Sequence, residues 1–130
     1  MIGLDANVLV RYVTQDDPAQ ADRVEALIDS LSPANPGFVS TVALAEAVWV
    51  LSGVFRIEAD GIQRFVRHLL ASTDIVVEHD DAVRLAIDAT AGSREFTDVL
   101  IGAIGLARGC EATVTFDRKA ANLRGMRVLR

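Results

Sequence analysis

The sequence predicts an α/β fold built on a parallel sheet, and three observations carry that prediction. Short apolar runs of β-type residues recur along the chain, longer stretches with helical spacing lie between them, and the runs are apolar throughout instead of alternating. Strands joined through helices need crossover connections, which implies parallel pairing with helices over both faces. The 130 residues fit a single domain, residues 1–130, because a chain of that size buries roughly two-thirds of its unfolded surface around one core.

Five strands are expected: Ile2 to Leu4, Gly37 to Ser40, Ile75 to Val77, Thr113 to Phe116 and Arg127 to Leu129. Asp16-Asp17-Pro18 is a start signal for a helix to about Ser30, and Ser40-Thr41 opens one from Val42 to Leu51. Helical spacing continues from Ala59 to Leu70, Asp81 to Ala91 and Thr97 to Arg108, with a short turn from Arg118 to Leu123. Ser32 to Gly37, with two prolines, is a loop. There is no internal repeat, linker or low-complexity tract.

Composition narrows the functional classes. With 51% hydrophobic residues and a mean hydropathy of +0.30, the chain lacks the charged, apolar-poor character of disorder. Only 5% is aromatic, so Ala, Val, Leu and Ile must build the core. A net charge of -5 argues against a protein that grips nucleic acid by a broad basic surface, since phosphate neutralisation needs clustered cations. Nucleic acid as a substrate is left open, and 12 of the 13 basic residues are Arg, the side chain better suited to planar phosphate contacts. The one cysteine, Cys110, can form neither an internal disulfide nor a metal motif and is expected as a small buried apolar residue in a reducing compartment. The chain opens into Met-Ile-Gly-Leu-Asp without a basic leader and has no apolar run long enough for a bilayer, so a cytoplasmic protein with no membrane role is expected.

Four acids stand where charge is least expected. Asp5 is the only charge from Met1 to Val10, Glu46 the only one in the 26 residues from Ser30 to Phe55, and Asp98 the only one from Phe96 to Ala107. Asp117 directly follows the uncharged strand Ala112 to Phe116. A buried carboxylate needs a cation or metal to compensate it, and no Lys or Arg lies inside these runs. In a parallel sheet, ligands bind beyond the carboxyl ends of the strands, where Asp5 and Asp117 are expected. Taken singly, Asp5, Asp98 and Asp117 read equally well as helix caps or first-turn acids. Glu46 does not, because Val42, Ala43, Trp49 and Val50 surround it on the helix.

Carboxylates are ligands for Mg²⁺ and Mn²⁺, whereas His68, His79 and Cys110 offer little to a softer metal. A hard metal activates water and neutralises charge on a phosphoryl oxygen, so phosphodiester hydrolysis is the chemistry this donor set suits. Asn7 is placed to offer an amide beside Asp5. Thr115, two residues before Asp117, shares its face in an extended strand and is placed to orient it. Asp16, Asp17, Asp80 and Asp81 are helix starters, and the two histidines are surface residues.

Met-Ile-Gly-Leu-Asp-Ala-Asn-Val-Leu-Val-Arg-Tyr, Glu46 within Ser-Thr-Val-Ala-Leu-Ala-Glu, Phe-Thr-Asp-Val-Leu-Ile-Gly-Ala, and Val-Thr-Phe-Asp-Arg follow one another in that order. Together they closely resemble PIN-domain toxins of the VapC type, over the whole chain. The resemblance implies an acidic metal-binding quartet of Asp5, Glu46, Asp98 and Asp117, with Asn7 and Thr115 as polar auxiliaries. It also implies a five-stranded parallel sheet in the order 3-2-1-4-5 and a Mg²⁺- or Mn²⁺-dependent endoribonuclease acting on structured RNA such as tRNA or rRNA. A homodimer inhibited by a cognate antitoxin is implied as well, with Trp49, Phe55 and Phe65 either in an antitoxin groove or in the core. Thr97 departs from the alanine common before the third acid.

Other α/β chemistries fit less well. Receiver-type phosphotransfer needs adjacent acids after the first strand, and Asp5-Ala6-Asn7 supplies one. A haloacid-dehalogenase-like phosphatase wants a general acid at position 7, where Asn7 cannot donate a proton. A catalytically silent regulatory or binding module is the remaining alternative, and intact acids at all four positions count against it.

Overall fold

The computed structural model describes residues 1–130 and confirms an α/β chain with six helices and parallel strands. It divides into two compact units, Met1–Glu78 and His79–Arg130.

In the first unit, β1 (Ile2–Gly3), β2 (Gly37–Val39) and β3 (Ile75–Val77) form a parallel sheet in the order β1-β2-β3. Four helices connect them: α1 (Ala6–Thr14), α2 (Pro18–Ser30), α3 (Thr41–Gly53) and α4 (Ala59–Ala71). Their starts follow local chemistry. Asp17 accepts a hydrogen bond from the Gln20 amide at 3.2 Å with Pro18 in the first turn of α2, and the Ser40 hydroxyl accepts from the Ala43 amide at 3.1 Å at the head of α3. The core gathers residues at helical spacing, such as Ile62, Phe65, Val66 and Leu69 of α4, with Leu44 and Leu51 of α3 fully buried. Each such side chain contributes roughly 1.5–3 kcal/mol of burial.

The second unit holds α5 (Asp80–Thr90), α6 (Phe96–Ala107), β4 (Thr113–Thr115), a 3₁₀ turn at Ala120–Asn122 and β5 (Met126–Val128), with β4 and β5 paired in parallel. Its core is the α5–α6 seam of Ala82, Val83, Ala86, Ile87, Phe96, Val99, Leu100 and Ala103. A Cβ at Gly102 would stand 2.7 Å from the Arg124 carbonyl oxygen, and one at Gly105 would stand 2.6 Å from the Thr113 hydroxyl. Two glycines on one face of α6 therefore let the helix approach the β4–β5 chain closely.

Four expectations are corrected. The five strands form two sheets, β1-β2-β3 and β4-β5, in place of one sheet in the order 3-2-1-4-5. β1 is held to two residues because the chain turns into α1 at Ala6, and the Ile2 and following Leu4 amides bond toward β2, to the Pro36 and Phe38 carbonyls. Helix α1 was not among the expected elements, since its residues continue the apolar run of the first strand. The strands are not covered on both faces: Val76 is 43% and Val114 50% exposed. Cys110 is exposed, because it lies in the turn beyond α6 and not in the core.

Candidate metal-binding site

The carboxyl edge of the β1-β2-β3 sheet is lined by residues that leave the strands into turns: Asp5 after β1, Ser40 and Thr41 after β2, and Glu78 after β3. Asp5 is in extended conformation and caps α1, its Oδ1 accepting the Ala6 amide at 2.8 Å. The second oxygen is left to solvent or a ligand. Asn7 is exposed in the first turn of α1 and its amide makes no hydrogen bond. Glu78 accepts the Thr41 amide at 2.8 Å, tying the end of β3 to the start of α3 across 37 residues of sequence. Glu46, in the second turn of that helix, is exposed, with Val42 (78% exposed) and Trp49 (69%) one turn away on the same outward face. No solvated polar stripe accounts for it. Phe65 belongs to the core and Phe55 is half-buried, so of the three aromatics only Trp49 stands free.

In the second unit, Asp98 is half-buried in the first turn of α6. It does not cap that helix: the cap position is Glu95, whose side chain makes no capping bond. Asp117 follows β4 and is exposed, its Oδ1 accepting the Lys119 amide at 2.9 Å. The Asp117 amide in turn donates to the Thr115 hydroxyl at 3.1 Å. Thr115 thus braces the turn that carries Asp117.

Asp5, Glu46 and Asp117 are exposed and Asp98 is half-buried, which corrects the expectation that the four acids are buried. They sit at helix starts or on an outward helix face, and water reaches them. No Lys or Arg pairs with Asp5, Glu46, Asp98 or Asp117, as is true of most acids of the chain, so what sets these four apart is their place as lone charges in or directly after apolar sequence. Asp16 shows the contrast, since the Thr14 hydroxyl at 2.9 Å and the Arg11 guanidinium at 3.0 Å hold its carboxyl below the usual aspartate range.

A family model described as PIN domain matches residues 2–126. The chain belongs to the PIN-domain family. A search of curated proteins returned no match. The PIN fold is a nuclease-type fold, and PIN domains are generally hydrolases that use divalent metal ions. The donors offered by this PIN domain fit such an ion in kind, being carboxylate oxygens free of cationic partners. In neither unit do three His, Cys, Asp or Glu side chains form a ready metal-holding group. No helix is long and apolar enough to cross a membrane.

Glu78 is the positioning residue that sequence reasoning passed over. Its signal was present, as the one acid directly following the apolar strand Ile75–Val77. Its partner at Thr41 was legible only once β2 and β3 were known to be neighbours.

Proposed function

We propose that this PIN domain is a Mg²⁺- or Mn²⁺-dependent endoribonuclease and the VapC-type toxin of a type II toxin–antitoxin pair, acting in the cytoplasm as one domain over residues 1–130. Its substrate is a structured RNA such as tRNA or rRNA, and its working form is a homodimer silenced by a cognate antitoxin. The observation that carries the reading is that four carboxylates, each the sole charge of an apolar run, stand without a cation in a chain of this family.

Asp5, Glu46, Asp98 and Asp117 are the residues that would hold the metal. When bound, the ion would supply Lewis-acid chemistry for phosphodiester hydrolysis. The chain's own residues prepare that chemistry. Thr115 holds the Asp117 turn, Glu78 anchors the helix that carries Glu46, and the exposed Asn7 amide is free to donate to a substrate oxygen.

The test is cleavage of total RNA by purified protein with and without Mn²⁺. Asp5→Asn and Asp98→Asn should each lower the rate by at least about a hundredfold, as loss of an electrostatic stabiliser does. Activity that survived both substitutions, or persisted in EDTA, would overturn the mechanism. Metal-dependent folding with no cleavage would leave the silent-module alternative in place.

A further inference from the structure

The last thirteen residues, 118–130, carry Arg118, Lys119, Arg124, Arg127 and Arg130 and no acid, in a chain whose net charge is -5. All five are exposed. No carboxylate pairs with Arg118, Lys119, Arg124 or Arg130, and Arg127 meets Glu111 only at 3.7 Å. A cationic tract left uncompensated in an acidic protein attracts anions.

Beside it stands the most exposed large apolar side chain of the protein, Phe116, at 81%. Thr115 is paired with Val128, and the Leu129 amide donates to the Thr115 carbonyl at 2.7 Å. Val114 and its partner Arg127 share one face of the strand pair, opposite Thr113, which is turned toward α6, and Phe116 and Leu129 follow directly beyond the paired residues. Phe116, Arg118, Asn122, Leu129 and Arg130 line a shallow depression at its end.

We propose that this face is a platform for single-stranded RNA, with Phe116 stacking on an unpaired base and Arg118 and its cationic neighbours holding the adjoining phosphates. The inference rests on the ribonuclease reading and adds the part of the substrate that reading leaves unassigned. An aromatic ring, a hydrogen-bonding amide and unpaired guanidinium groups together match a base and its backbone. A second copy of the chain matches less well, since a two-fold contact through this face sets the cations against one another.

The experiment measures anisotropy of a labelled short oligouridylate bound to the full chain in EDTA, where cleavage is off. Phe116→Ala should weaken binding roughly tenfold while Phe116→Trp retains it. Arg118→Ala should weaken binding and reduce the salt dependence by about 0.7 in log–log slope, the value for one phosphate contact on a single strand. The thermal midpoint of Phe116→Ala should stay at the wild-type value, because an 81% exposed ring supports little of the core. Unchanged affinity in Phe116→Ala would overturn the platform, as would a substitution that dissociates a dimer in sedimentation without touching oligonucleotide affinity. Asp98→Asn should bind as wild type and fail to cleave. Phe116-dependent binding by a wild-type protein that cleaves no RNA would sink the ribonuclease reading and leave the platform standing, and cleavage with Phe116-independent binding would do the reverse.

Discussion

The two units carry their charge and their apolar surface differently. Met1–Glu78 has five basic against eleven acidic residues, a net of -6, whereas His79–Arg130 has eight against seven, a net of +1. The first unit closes its sheet edge with capped helices and a long-range hydrogen bond from Thr41 to Glu78. The second leaves a strand pair with Val114, Phe116 and Leu129 in solvent and cations beside them. Overall acidity therefore says little about the local charge of either unit. The chain is acidic because its first unit is, and the average hides the cationic surface of the second.

The units are also stabilised differently, which substitutions can expose. In the first, stability comes from filled volume: Leu44 on α3 is 0% exposed, and Leu44→Ala should cost about 2–5 kcal/mol in urea unfolding as transfer and cavity terms add. In the second, it depends on a side chain that is missing. Gly102→Ala puts a Cβ 2.7 Å from the Arg124 carbonyl oxygen, and the forced separation of α6 from that segment should cost about 1–3 kcal/mol. A neutral Gly102→Ala would show that the close approach contributes nothing.

The smallest effect is electrostatic. Hydrogen bonding from Thr14, with the charge of Arg11, holds the Asp16 carboxyl below its usual range. A depressed folded-state value means that the contribution is present at neutral pH and lost as pH falls through that value. Asp16→Asn should flatten the acid limb of the stability profile slightly and leave the midpoint at pH 7 nearly unchanged, since the group is fully exposed. A large drop at pH 7 would contradict this.

Much of the fold was legible because apolar periodicity announces it. Ile75–Val77 and the Ser30 end of α2 fall where the pattern puts them, and α4 and α6 differ by about a residue at their ends. Helix α1 was hidden because Val8, Leu9 and Val10 prolong the apolar run of β1, and the cap at Asp5 is a one-residue signal inside it. The split into two sheets was illegible for a different reason, since strand pairing is decided by tertiary context and not by the composition of three-residue strands. Within the candidate site, isolation in apolar sequence singled out four candidate acids but misjudged their burial: an apolar run shows that a helix packs, not which of its faces is covered. Asp98 illustrates this, half-buried in the otherwise core-forming α6. Phe116 illustrates it again, since it reads as the last residue of a buried strand and stands beyond the ladder in solvent.

The central proposal is that the isolated carboxylates bind a divalent ion, and it is tested most directly by Mn²⁺ titration calorimetry of the full chain. Asp5→Asn in the first unit and Asp98→Asn in the second should each weaken Mn²⁺ by about tenfold or more, and saturating Mn²⁺ should raise the melting temperature of the wild type as repulsion among carboxylates is relieved. Mn²⁺ affinity left unchanged by both substitutions would contradict the account.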